Sequence, residues 1–208
     1  GDYFKERLDP KLLAKYIMAA TEVVITNKTG VSNEEKFMNH FENLVDGDIE
    51  WFKAEFIKFY KSQFKNVQAS TYKSVEMRQA VDTLKEKGYK VVIATNPLFP
   101  MVANEERIKW AGFTRDEFDY VSCFEDSSYT KPHLEYYQGV LDKINKKPEQ
   151  CYMIGNDIFD DLTAGHLGIE TYLTTDHLVN KRELENTADH TGTYKDFLEF
   201  VQNLPNII

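Results

Sequence analysis

Apolar residues in the first third of the chain recur every three or four positions, the period of a helix with one buried face. Leu12, Leu13, Tyr16, Ile17, Ala20 and Val24 make one stripe, and Phe37, Phe41, Leu44 and Val45 make a second. Phe52, Phe56, Phe59, Tyr60 and Phe64 make a third. Each stripe follows a helix-start signal: Asp9 before Pro10, a capping box from Ser32 to Glu35, and Asp48 as a side-chain cap. Gly30 and Gly47 close the first two units. The aromatic stripe reads most simply as a core between helices, although such side chains also line pockets.

From about residue 72 the pattern changes to short apolar runs alternating with helical periods. A helix is expected over 72–87, with Val75, Ala80, Val81 and Leu84 inward and Gly88 at its end. A β-branched strand over 89–94 stops at Thr95, Asn96 and Pro97. Next come a helix over 104–111, a strand over 120–124, and a helix opened by Pro132 with Tyr136, Val140, Leu141 and Ile144 inward. A strand over 151–154, a helix over 158–166, a strand over 169–173 and a helix over 193–203 complete the chain. Helices between short apolar strands predict an α/β fold, a Rossmann-like parallel sheet covered by helices on both faces. Two domains are expected: an all-helical one over 1–71 and an α/β core over 72–208.

Composition narrows the functions open to this fold. With 208 residues, 42% of them hydrophobic, the chain has enough apolar material for a sizeable core. A net charge of −9 and the lack of a Lys/Arg block argue against a general nucleic-acid binder. Cys123 and Cys151 both lie inside apolar runs and read as reduced core residues, so a cytoplasmic setting is expected. No apolar run approaches the length needed to cross a bilayer, and no signal peptide opens the chain.

The candidate chemistry lies where strands end. Gly155 allows a sharp turn after the 151–154 strand, and Asp157, Asp160 and Asp161 follow it. Carboxylates at a strand exit suit a hard cation such as Mg2+, and the start of the expected helix favours Asp160 and Asp161 through its dipole. Aspartates in such places also serve purely as turn and helix caps. In open parallel sheets, however, ligands bind beyond the carboxyl ends of the strands. Thr95 and Asn96 follow one strand directly, Lys131 follows the loop after another, and Asp157 and Asp161 follow a third. Singly, Thr95 suits a strand end and Lys131 a solvated surface. Together, a hydroxyl, an ammonium and two carboxylates are a set that can hold a phosphoryl group and a cation.

The ordered set Ala94-Thr95-Asn96, Lys131-Pro132 and Gly155 to Asp161 resembles motifs two, three and four of the haloacid dehalogenase-like hydrolase superfamily. The resemblance spans about residues 72 to 175, and the helical lobe resembles that superfamily's inserted α-helical cap. It implies a magnesium-dependent phosphatase of a small phosphorylated metabolite, working through an aspartyl-phosphate. In that scheme Thr95 binds the transferring phosphoryl group and Asn96, beside it, touches substrate. Lys131 stabilises the nucleophile and phosphoryl charge, Asp157 ligates Mg2+, and Asp161 orients Lys131 or supports the metal shell.

The superfamily's first motif, a strand ending in Asp-x-Asp that carries the nucleophile, has no counterpart before Asp9; Gly1 to Phe4 do not read as an apolar strand. An upstream segment of roughly twenty residues is the favoured explanation, since the missing strand would be central and its loss would strand its neighbours' backbone groups. The sheet should then be open between the strands ending near Thr95 and Ile154. The alternatives are a non-catalytic regulatory or binding member of the superfamily, favoured by the missing nucleophile, and a haloacid dehalogenase, disfavoured because Asp157 has no evident role in displacing halide. The sequence holds no Gly-x-x-x-x-Gly-Lys, Gly-x-Gly-x-x-Gly or His-Glu-x-x-His.

Overall fold

Each of the first three helices starts at a side chain that accepts from first-turn amides, groups that otherwise have no partner. The Asp9 carboxylate takes Lys11 and Leu12 N–H at the start of α1 (Pro10–Thr26). Ser32 Oγ takes Glu35 N–H at α2 (Asn33–Glu42), and Asp48 takes Glu50 and Trp51 N–H at α3 (Ile49–Lys61). The computed structural model describes residues 2–26 and 28–207, so Gly1, part of the segment read as lacking a strand, lies outside the described residues.

The chain divides into two compact units. The first contains Gly1–Tyr72, Thr95–Ala111 and Ser122–Thr130. Its main core gathers Leu13, Ala20 and Val24 of α1, Phe37 and Phe41 of α2, and Phe52 of α3, with Phe124 from a loop. The third aromatic stripe divides between two cores. Phe52 and Phe56 join this one, Tyr60 and Phe64 pack with Phe99, Ala103 and Trp110, and Phe59 touches both. The Phe64 and Trp110 rings lie 5.0 Å apart, which ties α5 (Met101–Trp110) into the helical unit. That helix starts at Met101, three residues earlier than its apolar pattern indicates, behind Pro100, whose carbonyl takes the Ala103 and Asn104 amides.

The second unit, Lys73–Ala94, Gly112–Val121 and Lys131–Ile208, carries all the described strands. α4 (Val75–Glu86) leads to β1 (Val92–Ile93), which pairs in parallel with β2 (Tyr120–Val121). α6 (Leu134–Ile144) leads to β3 (Tyr152–Gly155), followed by β4 (Glu170–Thr174), β5 (His190–Gly192) and α7 (Tyr194–Asn203). β3, β4 and β5 form an all-parallel sheet in that order, with Ile154 opposite Tyr172 and Tyr172 opposite His190. α4 and α7 cover it through Ala80, Phe197 and Val201, packed with Tyr172 and Ile154.

Several elements differ from the sequence pattern. β1 and β2 are two residues long, much shorter than their apolar runs, and β5 was not anticipated because His190-Thr191-Gly192 lacks apolar alternation. α6 begins at Leu134, with His133 in the cap position, rather than at Pro132. β1 pairs with β2 and β3 pairs with β4, and no ladder joins β1 to β3. Burial follows the pairing: in β4, bonded on both sides, Thr171 to Thr174 are buried, whereas Val92, Ile93, Met153, Ile154 and Gly155 are only half-buried.

Candidate active site

β3 delivers the chain into a turn built around two carboxylates. Asp161 Oδ2 accepts the backbone N–H of Asn156 at 2.9 Å and of Asp157 at 3.0 Å. Its Oδ1 accepts from Lys131 Nζ at 2.6 Å. Asp157 Oδ1 accepts the amides of Phe159 and Asp160, both at 2.9 Å, and the Asp157 carbonyl takes the Asp161 amide at 2.8 Å. Only glycine fits at 155: a Cβ there would stand 2.0 Å from Asp161 Oδ2. The turn is also tied to the segment after β4, since Ile158 N–H donates to Val179 O and Val179 N–H to Asn156 O. Asn156 Nδ2 adds a 2.6 Å bond to His177 O.

These bonds overturn one expectation. Residues 158–166 do not form an α-helix: the turn runs through Asp161, and only a six-residue 3-10 helix, Leu162–Leu167, follows. Asp157 caps the turn as Asp9 and Asp48 cap α1 and α3, and Asp161 N–H reaches back to Asp157 O, but a single such turn forms before the chain tightens into the 3-10 segment. Asp160 and Asp161 therefore owe their placement to side-chain-to-amide bonds, not to a helix dipole. Tyr137, unremarked in the sequence, is buried in α6 and its hydroxyl donates to the Asp160 carbonyl. Burial, and then the charges of Asp161 and Asp160, hold that phenol protonated well above its ordinary range.

Lys131 is 7% exposed and Asp161 6%, so theirs is a buried ion pair. The Tyr136 ring lies 5.9 Å from the ammonium. Such a pair gains little net stability over apolar replacements, but losing one partner costs about 3–5 kcal/mol because the other charge stays buried. The carboxylate compensates fully: both of its oxygens are engaged by donors.

Thr95 and Asn96 belong to the helical unit, in the stretch that follows β1, and both are half-buried. This loop is fixed by neutral hydrogen bonds. Ser122 Oγ donates to Thr95 O at 2.7 Å, and Asn104 Nδ2 donates to Ser122 O at 3.1 Å. Asn33 Nδ2, at the start of α2, donates to Pro97 O at 3.1 Å and to Tyr129 O at 3.3 Å. Asn33 and Thr130 have no exposed surface, and neither Asn33 Oδ1 nor Thr130 Oγ1 has a protein partner, at a cost of about 1–3 kcal/mol each. Of the anticipated residues, then, Lys131, Asp157 and Asp161 are brought together in one unit, and Thr95 and Asn96 lie in the other. Ser122, Asn104, Asn33 and Tyr137 were missed. Their one available signal was a polar residue beside an apolar run, which is too common to single out.

Among the described residues no group of three or more His, Cys, Asp or Glu side chains is arranged to hold a metal. Asp157 nevertheless fits part of a magnesium shell. One of its oxygens is used by the turn, and the other has no donor among the hydrogen bonds of the turn. Mg2+ is commonly held by one or two carboxylates plus phosphate oxygens and water, so one protein oxygen is a fitting contribution but not a complete site. Cys123 and Cys151 are free thiols, and burial pushes the Cys123 thiol up to about 11. No helix is long and apolar enough to cross a membrane among the described residues.

Comparison with known proteins agrees with this architecture. The family model for haloacid dehalogenase-like hydrolases matches residues 7–174. Pyrophosphatase PpaX of Bacillus cereus is 32% identical over 108 residues, 51% of this chain and 48% of that protein. PpaX of Bacillus anthracis is 33% identical over 122 residues, 58% of this chain and 51% of that protein. The matches thus span about half the length of these curated relatives. A HAD phosphatase from Thermococcus onnurineus shares the fold with a TM-score of 0.57 at 16% identity, covering 94% of this chain and 92% of its own. CbbY from Rhodobacter sphaeroides, solved with phosphate, gives 0.55 at 15% identity over 89% and 88%. The family match covers most of the chain, helical cap region and α/β core alike, and the chain belongs to the haloacid dehalogenase-like hydrolases.

Proposed function

We propose that this chain forms most of a magnesium-dependent phosphatase that cleaves a small phosphomonoester through an aspartyl-phosphate. One observation carries the reading: a buried lysine paired with a carboxylate whose second oxygen orders the turn bearing Asp157. Lys131 offsets charge on the phosphoryl group and on the nucleophile, and Asp161 fixes the direction of its ammonium. Thr95 donates its hydroxyl to a phosphoryl oxygen, and Asn96 contacts the substrate beside it. Asp157 would hold Mg2+, which neutralises charge on the transferring group when bound.

The attacking carboxylate would come from a strand entering between β1 and β3, two short strands that no ladder joins. It would attack phosphorus in line and release the alcohol, and water would then cleave the acyl phosphate. Residues 1–71 serve as the cap that excludes bulk water during this step. The relatives named pyrophosphatase suggest a phosphoanhydride as a second substrate class for the same chemistry.

The test is phosphate release from an aryl phosphate and from inorganic pyrophosphate, by the chain together with its upstream residues, with Mg2+ and with chelator. Release that stops with chelator supports the proposal. A folded, magnesium-supplied protein that turns over neither compound favours the non-catalytic reading.

A further inference from the structure

Asn33 joins two loops that also meet directly, through Phe124 N–H on Phe99 O at 3.0 Å. Its Nδ2 donates to Pro97 O, just past Thr95 and Asn96, and to Tyr129 O, two residues before Lys131. The surrounding first turn of α2 adds to the grip. Asn33 N–H donates to Ser127 O at 2.7 Å and Glu34 N–H to Phe124 O at 3.1 Å, so amides that a helix start leaves free are taken up by the loop. Lys36, one turn on and 4% exposed, donates to Ser128 O and lies 5.4 Å from the Tyr129 ring. Ser128 Oγ in turn donates to Gly30 O at 2.9 Å.

We propose that Asn33 is a positioning residue: one amide, on a helix of the cap region, sets the spacing between the loop carrying Thr95 and Asn96 and the loop that leads into Lys131. The proposal rests on the phosphatase reading for the roles of those residues. Three features point this way. Asn33 is fully buried and commits both amide hydrogens to backbone carbonyls 32 positions apart in sequence, at 97 and 129. Lys36, one turn further along α2, holds the same loop at Ser128 O, so the helix meets it at two points. The loop over 124–130 has no helix or strand of its own, so its order rests on the α2 contacts together with Phe124 N–H on Phe99 O and the Glu125 carboxylate on Met101 N–H.

The experiment compares Asn33→Leu, which nearly keeps the side chain's size and removes both donors, with Asp9→Ala, which weakens the same helical unit by removing a cap whose bonds go to the first turn of α1. Amide exchange by mass spectrometry on the full chain should show protection falling together at 95–98 and 124–131 in Asn33→Leu, and not in Asp9→Ala. Calorimetry with Mg2+ and inorganic phosphate should show phosphate affinity down about tenfold for Asn33→Leu, the size expected for two lost hydrogen bonds, with Asp9→Ala close to wild type. Should Asn33→Leu fail to fold, Asn33→Ala is read in the same way. Protection lost at only one loop, at neither, or equally in Asp9→Ala would overturn the proposal. If wild type takes up no phosphate, the phosphatase reading falls, and the exchange data alone decide the clamp.

Discussion

The turn after β3 and the loop after β1 hold their candidate residues by opposite means. The turn uses charge: Asp161 takes one ammonium and two amides, and none of these can be removed without leaving a buried charge short of a partner. The loop uses neutral donors, Ser122 on the Thr95 carbonyl and Asn33 on the Pro97 carbonyl. Charged anchoring gives stiffness at the risk of large losses when one member goes. Neutral anchoring leaves each member worth only about 1 kcal/mol, so that loop can shift at small cost.

The contrast is broken most severely at the ion pair. Asp161→Asn or Lys131→Met should lower unfolding stability in urea by about 3–5 kcal/mol. Replacing both with apolar residues of similar volume should recover much of that loss while abolishing phosphate binding. Equal losses in single and double variants would mean that the pair itself stabilises the fold.

Gly155→Ala should come next. Its new Cβ would displace the Asp161 carboxylate, since 2.0 Å is far inside contact distance, at a cost of about 1–3 kcal/mol. Because that carboxylate also aims Lys131, phosphate affinity should fall with stability. A crystal structure of the variant with Asp161 unmoved would contradict this. Ser122→Ala removes one neutral donor from the Thr95 carbonyl and should cost about 1 kcal/mol, a fraction of the ion-pair variants. A loss as large as theirs would erase the distinction between the two stretches.

The smallest effect is expected at an ion pair that belongs to neither stretch. Arg78 holds the Glu117 carboxyl down at about 2 through a 2.6 Å pair. A carboxylate depressed in the folded state contributes stability above its unfolded value of 4.5, and loses it as pH falls from there through about 2. Both side chains are partly exposed, so Glu117→Gln should change stability at neutral pH by less than about 1 kcal/mol and flatten that part of the acid profile.

How much of this was readable beforehand follows the range of the interactions. The starts of α1, α2 and α3 were legible because Asp9, Ser32 and Asp48 act on amides two or three residues away. The acidic turn was legible as a cluster for the same reason, although its tightening into a 3-10 segment after a single turn was not. β5 was hidden because His190-Thr191-Gly192 takes its strand form from pairing with β4 rather than from its own composition. The grouping of α5 with the helical unit depends on Phe64 meeting Trp110, a contact across 46 positions that no local pattern encodes. Asn33 was visible only as part of a helix start, and its reach to Pro97 and Tyr129 is tertiary.

Asp157 offers the most direct test of the central claim, because the turn already uses one of its oxygens and the proposed chemistry requires the other. Calorimetric titration of Mg2+ in the presence of inorganic phosphate should show saturable uptake by the wild-type chain together with its upstream residues. The uptake should be lost in Asp157→Asn, whose remaining carbonyl oxygen still accepts the Phe159 and Asp160 amides and whose melting curve should stay close to wild type. Equal magnesium uptake by the folded Asp157→Asn variant, or none by the wild type, would contradict the account.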